Sequence, residues 1–260
     1  MVALLLAIAA ALGITLGLLG AGGAIIAVPA FVYVGNIAPT QASGYALFVV
    51  MVATLVAVVP ALRNRTIHWP AFWSFGITTM ATVFSVRLWL LPSLPTHYAL
   101  GDWGVLELDT ILMVAFGFVL VAAGYAMLRH RASTETIAPL QSKMLAAIGV
   151  LVGLTAGLLG VGGGFLMTPA LVLWGRLQMK TAVATSIALI CVNSAVGVSG
   201  DLVRGVVFDW PLVLSFTAFT TAGIVAGAHL RDRINAADLR MIFGWVVVAI
   251  GVAVLFVELF

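Results

Sequence analysis

The chain writes one unusual stretch twice. Gly13-Ile-Thr-Leu-Gly-Leu-Leu-Gly-Ala-Gly-Gly runs on to Pro29-Ala30, and Gly153-Leu-Thr-Ala-Gly-Leu-Leu-Gly-Val-Gly-Gly runs on to Pro169-Ala170. The offset is a constant 140 residues, and ten of the eighteen positions from 13 to 30 are identical in the copy. Glycine knots that interrupt apolar runs at matching points of two halves point to a duplicated membrane transporter. Its substrate site is expected near the midplane, where the interruptions meet.

The surroundings of the knots agree. Of 260 residues, 63% are hydrophobic and 8% are charged, against about 25% charged in a soluble domain that must present a wet surface. Six or more apolar runs pass the roughly 18-residue length of a spanning helix. No strand-like alternation competes with them, which argues against a β-barrel. The fold class expected is an all-α polytopic membrane protein of two homologous, inverted repeats. Each repeat has a glycine-broken first element, with about eight apolar elements in all. The repeats occupy residues 1–128 and 143–260, joined by a polar linker at 129–142. Met1-Val-Ala-Leu-Leu-Leu lacks the positive start of a signal peptide, and its continuation is mirrored at 142–170. It is therefore read as a structural helix.

The net charge of +3 is not a nucleic-acid signal, because the Lys and Arg residues fall singly between apolar runs. They serve instead as a topology compass. Four clusters, Arg63/Arg65, Arg129/Arg131/Lys143, Arg176/Lys180 and Arg231/Arg233/Arg240, contrast with two balanced or acidic segments around Asp102–Asp109 and Asp201–Asp209. If every element were a simple span, the basic loops after 60 and after 174 would lie on opposite sides. If each broken first element is a hairpin that enters and leaves by one face, all four clusters lie inside and both termini outside. The second assignment obeys the rule and makes the halves inverted.

The breaks themselves have a chemical reading. In hydrocarbon each unpaired backbone group costs several kcal/mol, so a break must be buried in protein or line a cavity. Gly20, Gly22 and Gly23, and Gly160, Gly162, Gly163 and Gly164, let backbone N–H groups converge on one point. The short helix that follows each break adds the positive end of its dipole. Two such ends would form an anion pocket without Lys or Arg. Pro29 and Pro169 end or kink the short helices and act as hinges. Glycines also serve close helix packing, and Gly13-xxx-Gly17 and Gly153-xxx-Gly157 are read that way.

Past the second break, Thr185, Ser186, Asn193 and Ser194 supply hydroxyls and an amide, and 186, 193 and 194 share a helical stripe. They either donate to a bound oxyanion or bond between helices. Their first-half counterparts are Tyr45, Ala46, Ala53 and Thr54. The second half therefore carries more of the recognition, with Tyr45 as the first half's candidate. Arg87 is read as snorkelling to the interface, with anion attraction or an interior contact as the alternatives. Cys191 is read as a small core residue, and Trp69, Trp73, Trp89, Trp103 and Trp210 as an interfacial belt. No Asp or Glu is expected deep in an apolar run. No metal cluster, hydrolase arrangement or P-loop is evident, so no enzyme activity, cofactor or metal is expected.

The doubled G-x-x-G-x-G-G pattern with its following proline, and Lys180-x-Ala182-x-x-Thr185-Ser186, resemble the sulfite exporter TauE/SafE family of membrane permeases. The resemblance covers essentially the whole chain and is closest over Gly157–Pro169. Ala24 stands in the first half for the last glycine, and Tyr45-Ala46 for the Thr-Ser pair. The resemblance implies export of small oxyanions or organosulfur anions, such as sulfite and sulfonates, across a bacterial-type inner membrane. The expected partners are such an anion and the bilayer. The alternatives are a passive anion or small-solute channel and a non-transporting scaffold or maturation factor.

Overall fold

A computed structural model describes residues 2–19, 26–95, 97–99, 105–129, 142–159, 164–231 and 236–259. Helix α1 (Val2–Leu19) precedes the first break. Helix α2 (Ala27–Pro29) follows it and widens into a π-helical turn, Ala30–Val34. Then come α3 (Pro39–Arg63) and α4 (Trp69–Ser85), the latter continued by a π-helical turn, Val86–Leu90, and a last turn, α5 (Leu91–Ser93). After α6 (Leu108–Arg129), the chain gives α7 (Ser142–Leu159), α8 (Gly164–Leu173), α9 (Met179–Val203), α10 (Trp210–Arg231) and α11 (Ala236–Leu259). The helical fold has one departure. The insertion between α5 and α6 pairs as a short antiparallel ribbon, β1 (His97–Ala99) with β2 (Val105–Glu107), in the register His97 to Glu107.

Five helical stretches among the described residues are long and apolar enough to cross a membrane: Pro39–Arg63, Trp69–Ser93, Thr110–Arg129, Met179–Val203 and Trp210–Gly227. The sequence suggests six or more over the whole chain. The apolar stretches of α1, α7 and α11 (Leu4–Leu18, Lys143–Leu159 and Gly244–Leu259) fall short of the length. Helix α8, ten residues long, extends only about 15 Å, half of a 30 Å hydrocarbon core.

The helices pack in four main pairs: α1 on α10, α4 on α7, α3 on α9 and α6 on α11. Glycines set how closely they approach. A Cβ on Gly13 would strike the Thr220 carbonyl, and one on Gly223 the Ala10 carbonyl. In α7, Gly153 would meet Thr82 at 2.7 Å and Gly157 would meet Val86 at 2.7 Å. The packing role read for Gly13, Gly153 and Gly157 is therefore observed, and only the partner helices were unknown. These contacts advance together along both helices, so α1 runs parallel to α10 and α7 parallel to α4. In contrast, α3 and α9 are antiparallel, since Gly44 lies against Asp201 while Thr185 bonds His68 near the other end. Gly117 against Leu255 and Gly124 against Val248 make α6 and α11 antiparallel as well.

The backbone repeats its own details 140 residues on. Ile37 N–H bonds the Phe31 carbonyl, and Leu177 N–H that of Leu171; Thr66 N–H bonds Ala61, and Val206 N–H bonds Asp201. These are helix C-caps closed by one left-handed residue. The left-handed residues are Asn36, Arg65, Arg176 and Gly205, with φ of 53, 51, 52 and 75°. The starts of α4 and α10 also match. His68 Nδ1 accepts from Ala71 N–H at 3.2 Å, Asp209 Oδ1 accepts from Leu212 N–H at 3.3 Å, and a Trp-Pro pair follows each.

Candidate substrate site

Gly20, Gly22, Gly23, Gly160, Gly162 and Gly163 lie outside the described residues. Their flanks are well defined. Gly164 opens α8 and is buried, Pro169 sits inside α8, and Pro29 ends α2 where the helix widens. Pro169 has no N–H for the carbonyl four residues earlier. Helix α8 lies against α9. Its side chains meet α9 around the middle of that helix, so its first turn is level with the centre of the bundle.

At that level a polar cluster is enclosed by apolar packing. Thr168, Ser186, Asn193 and Ser194 are each 0% exposed. The Thr168 and Ser186 hydroxyls lie 2.8 Å apart, and Ser186 also donates to the Val183 carbonyl at 2.9 Å. The Asn193 amide N–H reaches only the Met167 sulfur, at 4.0 Å. Among the described residues, Asn193 Oδ1 and Ser194 Oγ have no partner, nor has Thr220 Oγ1 on α10. A buried polar group left unmade costs about 1–3 kcal/mol. The cluster is therefore short of polar partners, and such a deficit is what a bound solute would relieve.

Thr185 and Tyr45 do something else. Thr185 Oγ1 accepts the His68 N–H at 2.9 Å and donates to the Thr181 carbonyl at 2.8 Å. Tyr45 Oη accepts the Asp209 N–H at 2.9 Å. The two hydroxyls make the same contact, each holding the residue before the helix that follows its partner in the α3–α9 pair. They do so at opposite ends of the α3–α9 pair. Tyr45 is level with Asp201, about sixteen residues or roughly 24 Å along α9 from Thr185. Tyr45 is thus separated from the Ser186–Asn193 cluster. It stacks on Phe208 at 5.4 Å and meets Phe31 edge-on at 5.7 Å.

Two readings of charge are corrected. Arg87 does not snorkel, and a carboxylate is buried within the bundle. Arg87 is 0% exposed, and its Nη1 donates to Asp201 Oδ2 at 3.0 Å, Asp201 Oδ1 at 3.3 Å and Ser43 Oγ at 3.1 Å. Asp201 is 1% exposed and is approached by Arg204 at 3.6 Å. Sequence reasoning missed the pair because it placed Asp201 in a loop, whereas α9 runs on to Val203. The available signal was a lone arginine before Pro92 in one helix and a lone aspartate ending the other long polar-poor run. Ser43, Thr168 and Thr220 were also missed. Single hydroxyls in apolar helices carry no pattern that separates buried ones from exposed ones.

With the geometry in place, comparison with known proteins is decisive about kinship. The model of the family described as Sulfite exporter TauE/SafE matches residues 5–254. The chain belongs to that family. A probable membrane transporter protein of Xylella fastidiosa is 29% identical over 260 residues, covering 94% of this chain and 90% of the relative. The probable membrane transporter protein YunE of Bacillus subtilis is 24% identical, covering 94% of this chain and 93% of the relative. A probable membrane transporter protein of Methanocaldococcus jannaschii is 25% identical, covering 97% of this chain and 94% of the relative. No solved structure matches. The family's description and the relatives' names are those of membrane transporters. The chain is accordingly an integral membrane transporter, in keeping with its five apolar spans.

Proposed function

We propose that the protein exports small oxyanions or organosulfur anions, sulfite and sulfonates among them, across a bacterial-type inner membrane. Transport proceeds by alternating access between two inverted repeats, residues 1–128 and 143–260, about the linker 129–142. The observation that carries this reading is the partner-poor cluster of Thr168, Ser186, Asn193 and Ser194 beside the first turn of α8. Turning the Asn193 amide over would present its N–H groups to an anion. Gly20, Gly22, Gly23, Gly160, Gly162, Gly163 and Gly164 supply backbone N–H groups in this scheme. Pro29 and Pro169 are the hinges. Thr185 and Tyr45 hold the adjoining loops.

Several features support the inverted arrangement. Helices α3 and α9 correspond residue for residue at the 140 offset and run antiparallel. The left-handed caps fall into the equivalent pairs Asn36/Arg176 and Arg65/Gly205. In each pair arginine stands at the end assigned to the cytoplasm, as the positive-inside rule asks of inverted halves.

Export of an anion from a negative interior is downhill by ~2.3 kcal/mol per charge per 100 mV. The test is sulfite or methanesulfonate flux from vesicles holding the purified protein. Saturable flux that follows voltage or a pH gradient is expected. Flux indifferent to both defeats the mechanism, and flux linear in concentration far beyond carrier saturation indicates a channel instead.

A further inference from the structure

The buried guanidinium of Arg87 is only half used. Nη1 makes all of its contacts, to Ser43 and Asp201, while Nε and Nη2 are buried and have no partner among the described residues. A guanidinium has five N–H donors, and arginine–carboxylate pairs frequently engage two nitrogens. Here the carboxylate is taken from one corner. The edge left free, Nε with Nη2, presents parallel N–H groups that match two oxygens on one atom. Charge points the same way. The single carboxylate of Asp201 faces both Arg87 and Arg204, so the group carries one positive charge in excess. The surrounding helices give way to it. Gly44 and Gly200 stand where a Cβ would come within 3.0 Å of Asp201 Oδ2 and 3.1 Å of Arg87 Cβ. Arg87 also lies in the π-helical turn Val86–Leu90, a widening of the helix that is frequent at functional sites. The equivalent of Asp201 in the first half is Ala61, so this end of the bundle alone has the pair.

We propose that Arg87 is an oxyanion-binding residue at the end of the bundle where α3 begins and α4 and α9 finish. Its Nε and Nη2 take two oxygens of one polyatomic oxyanion, and Asp201 is the resident counter-ion that holds the guanidinium when the anion is away. The inference rests on the anion reading above and narrows its class. Carboxylate-, sulfite- or sulfonate-like groups match the fork with two oxygens, whereas a halide offers both N–H groups one shared acceptor and bonds each less directly.

The test is calorimetric binding of sulfite and methanesulfonate, with chloride as the control, to the full chain in nanodiscs. The wild type is compared with Asp201→Asn and with the charge-neutral double variant Arg87→Gln, Asp201→Asn. Charge-assisted bonds of this kind predict that the double variant binds the oxyanions roughly tenfold or more weakly. Asp201→Asn is expected to bind them severalfold more tightly, a gain that damage to the fold cannot produce. A double variant that binds as the wild type does, or Asp201→Asn that folds and binds no more tightly, reduces Arg87 to a structural ion pair and overturns the proposal. If Asp201→Asn does not fold, the double variant decides alone. If the wild type binds neither oxyanion, the anion reading falls as well, which separates the two failures.

Discussion

Separating Arg87 from Asp201 leaves a charge stranded in a medium that cannot solvate it. Truncating one partner of such a pair costs about 3–5 kcal/mol, while replacing both costs little. Arg87→Ala is therefore expected to lower the melting temperature in detergent sharply. Arg87→Leu combined with Asp201→Leu should recover most of the loss. The hydroxyls of Thr185 and Tyr45 belong to the same scale. Thr185→Val removes the acceptor of the His68 N–H, and Tyr45→Phe that of the Asp209 N–H. Each should destabilise the protein by about 1–3 kcal/mol. If either substitution leaves thermal stability untouched and abolishes transport, its hydroxyl serves substrate rather than the loop. Ser186, Asn193 and Ser194 were legible in the sequence as an interior stripe, because their spacing puts them on one helical face. The division of labour between Thr185 and Ser186 was not legible. Neighbouring residues point about 100° apart on a helix, and only the packed partners reveal what each one meets.

At the scale of elements, glycine settles which helices touch. The α1–α10 seam uses Gly13, Gly223 and Gly227, and the α4–α7 seam uses Gly149, Gly153 and Gly157. Without a hydrophobic drive between helices in lipid, backbone approach of this kind supplies the packing. Gly13→Leu and Gly153→Leu should each weaken one seam, read as earlier unfolding and greater protease sensitivity. Leucine at an exposed position such as Ala7 should be neutral. The caps give a finer test. Arg65 holds a left-handed φ of 51°, while its equivalent is Gly205 at 75°. A left-handed conformation costs a non-glycine residue about 1–2 kcal/mol, so Arg65→Gly should raise stability by a similar amount. Arginine at that position despite the cost is what the proposed cytoplasmic placement of this cap would call for.

For the whole molecule, the inverted arrangement makes a prediction about sides. In a Cys191→Ser background, Asn36→Cys and Arg176→Cys occupy equivalent caps and should react with an impermeant thiol reagent from opposite faces of the membrane. Arg65→Cys should share its side with Arg176→Cys. Labelling of Asn36→Cys and Arg176→Cys from one face would refute inversion and, with it, the antiparallel packing of α3 on α9. Antiparallel α3 and α9, with α1 parallel to α10 and α7 parallel to α4, favour the first outcome.

The sequence alone pointed to a helical membrane protein and, through its doubled glycine motif, to a resemblance to its family. Hydropathy, glycine and proline act locally and leave their mark within a turn or two. The shared offset of 140 also foretold the matched caps, since equal local sequence closes a helix in an equal way. What lay beyond it was everything that depends on two distant segments meeting. That includes the union of Arg87 with Asp201, the distance between Tyr45 and Ser186, and the parallel or antiparallel sense of each pair. A buried charge is tolerated only when its partner arrives from another helix, and that arrival is a property of packing in three dimensions rather than of any window of residues.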